Sequence, residues 1–162
     1  MHFKILDVYM PLVSVLGDFG AVWIVTALIF IFQKRYRTVG ITVLAAFILC
    51  GLIGNLGLKP LIARPRLYTV IPEIVLLIPR PTDYSFPSGH TMSAFAAATV
   101  IFRNNKRVGF CAFIFGILMA FSRLYLRVHY MTDILGGIAI GTVIGIMAVY
   151  LIKAINKRFQ SI

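Results

Sequence analysis

Ser122, Arg123, His129 and Asp133 fall within one short stretch, SRLYLRVHYMTD. A histidine and an aspartate four residues apart share one face if that stretch is helical. The carboxylate then fixes the tautomer of the ring and leaves the other nitrogen's lone pair free to attack. It also stabilises the positive ring that attack produces. A second histidine, His90, closes the sequence Pro87-Ser88-Gly89-His90 just before an apolar run. Ser88 suits a helix N-cap, and Gly89 lets a ligand approach the backbone. The N–H groups of the helix start favour an oxyanion.

Lys59, Arg64 and Arg66 lie in KPLIARPRLY. Cations gathered at one place repel one another unless an anion sits among them. Only Asp133 is an obvious acid in these segments, so an external anion is implied. The planar guanidinium fork suits phosphate oxygens. Arg64, Arg80 and Arg127 are equally well read as side chains reaching for lipid headgroups. Two histidines, one backed by an acid and one not, can divide nucleophile and general acid between them. That is phosphoryl-transfer chemistry. Two histidines and an aspartate can also ligate zinc, but the three cations Lys59, Arg66 and Arg123 oppose a divalent metal. Neither a metal nor a cofactor is expected.

These groups need elements to hold them. Hydrophobic residues make up 60% of the 162-residue chain and charged residues 13%, about half the charge of a soluble domain. Apolar stretches at 19–33, 41–58, 89–102, 108–122 and 131–152 predict an all-α integral membrane protein. One domain over residues 1–162 forms a bundle of about five to six transmembrane helices. Residues 1–17 are not read as a cleavable signal. They form either an amphipathic interfacial segment or a sixth, short span, with Pro11 breaking any long helix. Residues 61–86 make an outer loop next to the site, rich in proline, in which 74–78 is expected as a short interfacial helix covering it. Gly137, Gly141 and Gly145 allow close helix approach, within the monomer or at a dimer seam. Cys50 and Cys111 read as small buried hydrophobes.

The net charge of +11 sits in short clusters between apolar runs, the pattern of membrane loops, so no nucleic-acid partner is expected. Residues 33–38, 103–107 and 153–158 fall on one side and carry nine of the sixteen Lys and Arg. The remaining seven share the other side with all five acids. By the positive-inside rule the basic loops are cytoplasmic, and residues 59–88 and 123–130 face outward.

Taken together the residues resemble the type 2 phosphatidic acid phosphatase superfamily, the integral-membrane lipid phosphate phosphatases. Its three motifs are Lys-x6-Arg-Pro, Pro-Ser-Gly-His and Ser-Arg-x5-His-x3-Asp. Here they run from Lys59, from Pro87 to His90 and from Ser122 to Asp133. Leu67 stands where the first motif has proline. The resemblance implies a helical-bundle phosphatase in which His129 is the nucleophile, forming a phosphohistidine, and Asp133 orients it. His90 is implied as the acid, while Lys59, Arg66, Ser88, Gly89 and Arg123 hold the phosphoryl oxygens. The role of Ser122 is left open. The implied substrate is a lipid phosphate, foremost a polyprenyl (undecaprenyl) diphosphate, with phosphatidylglycerol phosphate and phosphatidate as alternatives. A small anion transporter is the alternative of another class; its charges would be spread through the membrane depth.

Overall fold

The computed structural model describes residues 4–159, so the first three residues of the 1–17 segment lie outside it. Helix α1 (Lys4–Leu16) is followed by a short turn and α2 (Ala21–Phe32). Helix α3 (Arg37–Leu49) continues through a π-helical stretch, Cys50–Leu58, into α4 (Lys59–Ile62). A single turn, α5 (Leu67–Val70), precedes the outer loop. Then come α6 (Gly89–Asn104), α7 (Lys106–Tyr125) and α8 (Met131–Phe159). Each of the five apolar stretches thus becomes helix, as a bilayer requires of backbone that must satisfy its own polar groups.

Among the described residues, three helical runs are long and apolar enough to cross a membrane: Lys34–Val70, Lys106–Tyr125 and Met131–Arg158. Helices α1 and α2 qualify only together, as a pair bent by 48°, giving a fourth. This is a multi-pass helical membrane bundle, with three or four spans by that test. Helix α6, 16 residues long, reaches only ~24 Å, short of the ~30 Å hydrocarbon core.

Helix α6 instead forms the centre. Thr91 to Ile101 are all buried, and Ala94, Ala96, Ala97 and Ala98 keep its surface thin, so that α3, α7 and α8 pack closely around it. The glycine stripe of α8 lies against this helix: a Cβ on Gly141 would come within 2.2 Å of the Met92 carbonyl oxygen. The stripe is therefore used for packing inside the monomer. Trp23, Val43, Met92, Met119 and Ile144 fill the core between these helices.

Three local expectations are corrected. Cys50 is buried, but Cys111 is exposed on the outside of α7. Pro11 lies inside α1 and does not end it; the chain bends after Leu16 instead. Residues 74–78 are not helical. Ile74, Leu76 and Ile78 turn inward against Met10, Tyr68, Leu126 and Val128, while Val75 and Leu77 are exposed. That alternation is the period of extended chain, and Pro72, Pro79 and Pro81 on either side oppose a helix.

Candidate active site

At one end of the bundle a cavity of about 420 Å³ is lined by Lys59, Arg66, Gly89, His90, Arg123 and His129, among others. The elements that deliver them are distinct. Lys59 opens α4 directly after the π-helical stretch, a feature often found at functional sites. Gly89 and His90 form the first turn of α6, and Arg123 lies in the last turn of α7. His129 sits in the link between α7 and α8.

His129 is buried, and its two nitrogens have different partners. Nδ1 lies 3.3 Å from Asp133 Oδ2, and Nε2 lies 3.3 Å from Arg66 Nη1. Burial pushes its pKa down to about 3, with Arg66 and Arg123 reinforcing the effect and Asp133 opposing it. The ring is therefore neutral at neutral pH. Asp133 is fully buried and well satisfied: Arg64 Nη1 donates at 2.7 Å, Ser85 Oγ at 2.5 Å and the Tyr130 N–H at 2.9 Å. Arg64 also lies 3.9 Å from the centre of the Tyr130 ring.

The cations are buried too. Arg66 donates through Nη1 to the Val128 carbonyl at 2.8 Å and through Nη2 to Asp83 Oδ1 at 2.5 Å. Lys59 Nζ donates to the other oxygen of the same carboxylate. Burial of Asp83 pushes its carboxyl up, but the bonds and charges of Lys59 and Arg66 outweigh this and hold it at about 2. Arg123 donates through Nη1 to Ser14 Oγ, whereas its buried Nε has no hydrogen-bond partner. His90 Nε2 lies 2.9 Å from Asp18 Oδ1.

The structure brings Lys59, Arg66, Gly89, His90, Arg123 and His129 onto one cavity, with Asp133 directly behind His129. Ser88 is set back: it caps α6, its hydroxyl 3.0 Å from Thr91 Oγ1, and its N–H donates to the Asp133 carbonyl at 3.1 Å. Ser122 donates to Met119 O within its own helix, at 2.6 Å. His129 precedes α8, so the His129–Asp133 pair meets across a helix start, where Asp133 also caps Tyr130. Leu67 opens the turn of α5 with Arg66 as its N-cap, and Arg66 reaches His129 without the motif's proline.

Two residues, Asp83 and Asp18, escaped the sequence reading, and Arg64 takes a part it did not foresee. Asp83 lies between Lys59 and Arg66, so the anion inferred to be external has an internal counterpart. Asp18 pairs with His90, so both histidines are backed by acids. Arg64 is committed to Asp133 rather than to the cavity or to lipid. Asp18 and Asp83 stand outside every motif; their only sequence signal is that an apolar chain with five acids rarely leaves one without a partner.

A helical bundle buried in the membrane, with a histidine aimed into a cation-lined cavity, defines the class: a membrane-embedded enzyme built for a phosphoryl group. The PAP2 superfamily matches residues 39–157, and the chain belongs to it as one of its membrane phosphatases. It is 36% identical over 147 residues to an undecaprenyl-diphosphatase of Sulfolobus acidocaldarius, covering 86% of this chain and 70% of that one. It is 34% identical to undecaprenyl-diphosphatase BcrC of Bacillus subtilis, where the match spans 71% of this chain and 56% of the relative. Among solved structures, Aquifex aeolicus LpxE superposes with a TM-score of 0.79 at 28% identity, over 92% of this chain and 88% of that one. A phosphatidylglycerolphosphate phosphatase from Bacillus subtilis gives 0.73 at 26%, over 98% and 80%.

Proposed function

We propose that this phosphatase hydrolyses a lipid diphosphate of the polyprenyl (undecaprenyl) type through a phosphohistidine on His129. The observation that carries this is the ring itself. Its Nδ1 is committed to Asp133, and its Nε2 faces a cavity lined by Lys59, Arg66 and Arg123. The names of two relatives supply the substrate class.

In this mechanism the terminal phosphoryl group displaces the Asp83 carboxylate from Lys59 and Arg66. It also gives the buried Nε of Arg123 an acceptor. The Gly89 N–H at the start of α6 adds a further donor. His129 Nε2 attacks phosphorus; the bond to the leaving oxygen breaks, and His90 supplies the proton that oxygen needs. Asp133 and Arg64 keep the attacking ring oriented while it becomes positive. Water then attacks the phosphohistidine with His90 as base, and the P–N electron pair returns to His129. Fixed donors that match the developing charge provide most of the acceleration.

The site faces outward across the cell membrane in this reading. Arg35, Arg103 and Lys153 gather at the opposite end of the bundle, as the positive-inside rule requires of a cytoplasmic face. A second substrate reading, phosphatidylglycerol phosphate, is favoured by the likeness to the Bacillus subtilis phosphatase structure.

Phosphate release from purified protein with EDTA present tests the proposal. Polyprenyl diphosphate and phosphatidylglycerol phosphate are compared in one detergent. Release that survives EDTA, favours the polyprenyl substrate and disappears in His129→Ala supports it. Preference for the glycerolipid selects the second reading. Unchanged release by His129→Ala, or none from any lipid phosphate, overturns the account.

A further inference from the structure

Residues 14–18, the end of α1 and the turn after it, lie outside the 39–157 stretch matched by the superfamily, yet they touch two of its motif residues. Ser14 Oγ accepts from Arg123 Nη1, and Asp18 Oδ1 lies 2.9 Å from His90 Nε2. The fit is close: a Cβ on Gly17 would fall 2.7 Å from His90 Cδ2. The turn also holds strained backbone. Phe19 has φ 52° with its side chain almost wholly exposed, and Gly20 has φ 69°. A bulky residue in the left-handed region persists only where its surroundings demand it. What this turn delivers is Asp18, set against a largely buried imidazole.

We propose that Asp18 is a positioning residue for the proton donor, orienting His90 and stabilising its protonated form. This rests on the assignment of His90 as acid and extends it to an element beyond the family's motifs. Arg123 of α7 faces the same ring and opposes its charging. Lys59 and Arg66, bridged by Asp83, line the remaining wall with neutral His129. Asp18 is the one described carboxylate on His90 itself. When the bond from phosphorus to the leaving oxygen breaks, its electron pair stays on that oxygen. The imidazolium of His90 passes its proton there and becomes neutral, while Asp18 remains a carboxylate throughout. In the second step His90 takes a proton from the attacking water, and Asp18 again stabilises the imidazolium formed.

The test compares Asp18→Asn, Asp18→Glu, His90→Ala and the Asp18→Asn/His90→Ala double variant. Each is assayed on a lipid monophosphate, whose alkoxide is a poor leaving group, and on para-nitrophenyl phosphate, whose phenolate is an activated one. A general acid contributes roughly 10²- to 10⁴-fold, so Asp18→Asn should lose roughly 10- to 100-fold in kcat/KM on the lipid and far less on the aryl ester; kcat/KM reports expulsion of the leaving group and not the shared hydrolysis of the phosphohistidine. Its alkaline limb should move to lower pH. Asp18→Glu should recover part of the activity, and the double variant should be no worse than His90→Ala. Equal losses on both substrates with an unmoved alkaline limb, or losses that multiply in the double variant, overturn the proposal. If His90→Ala itself loses equally on both substrates, the acid assignment fails first. If His90→Ala behaves as an acid variant and Asp18→Asn resembles the parent, only the role of Asp18 fails. Melting curves of each variant separate misfolding from chemistry, and a misfolded Asp18→Asn leaves Asp18→Glu to decide by its alkaline limb.

Discussion

Arg66 Nη1 lies 3.3 Å from His129 Nε2 and also donates to the Val128 carbonyl at 2.8 Å. The group suited to an oxyanion and the nitrogen suited to attack phosphorus therefore share one seat. The carbonyl one residue before His129 fixes the distance between them. A phosphoryl group held by this arginine is already beside the nucleophile, the arrangement in which positioning contributes most.

Arg66→Lys should show this. Lysine keeps the charge but loses the fork that reaches Asp83 and Val128 together. Kinetics on the lipid substrate should show kcat falling roughly 10²- to 10³-fold, the range for removing one oxyanion donor. A change confined to KM would mean that Arg66 only binds.

Asp83 makes a prediction of opposite sign for affinity. It occupies Lys59 and Arg66, and substrate must displace it. Asp83→Asn should bind inorganic phosphate several-fold more tightly. It should also melt lower without phosphate, because two buried cations lose their partner. Phosphate should then raise its melting temperature more than that of the parent, by linkage. Equal shifts in both proteins would show that Asp83 does not compete for the seat.

The pH dependence of stability follows from His129. Burial first, then Arg66 and Arg123, hold its pKa near 3, below the ~6.5 of an unfolded histidine. The folded state thus binds fewer protons between these values. Its stability is full above pH ~6.5 and declines as pH falls toward 3, by about 2 kcal/mol at pH 5. Asp83, held at about 2, is ionised in folded and unfolded chain alike between pH 7 and pH 5 and adds little slope there. Thermal melts at pH 7 and pH 5 should fall further in the parent than in His129→Asn. Parallel falls would contradict a buried neutral ring.

Helix packing makes a prediction independent of chemistry. Gly141→Ala places a methyl 2.2 Å from the Met92 carbonyl oxygen, so α6 and α8 must separate, at a cost of about 1–3 kcal/mol. Gly51→Ala meets nothing within 4 Å and should hold or slightly raise the melt, since alanine is the better helix former. A melt of Gly141→Ala like the parent's would show that the contact relaxes freely.

Much of this was legible in the sequence because apolar length and motif spacing are local properties. Stretches such as 108–122 had to become helices in a bilayer. Lys59, His90 and His129 were placed together once the loop order set one end of the bundle. Asp18 and Asp83 were not legible. Each reaches its partner through an irregular turn, across 72 residues to His90 and 24 to Lys59, and no helical or strand period encodes such a path. Ser88 shows the reverse limit. Its type suits either a helix cap or a phosphate contact, and only the packing of Thr91 and Asp133 turns it toward the cap. The alternation in 74–78 was not legible either: all five residues are apolar, and only packing turns Ile74, Leu76 and Ile78 inward.

Whether His129 carries the phosphoryl group is tested by rapid quench of the protein with a lipid diphosphate labelled in its terminal phosphate, followed by peptide mapping. A phosphohistidine at His129 gives a label that survives alkali, is lost in acid, maps to His129 and is absent from His129→Ala. Turnover with no trapped label in His90→Ala, where breakdown of the intermediate should be slowed, or a label on any other residue, would contradict it.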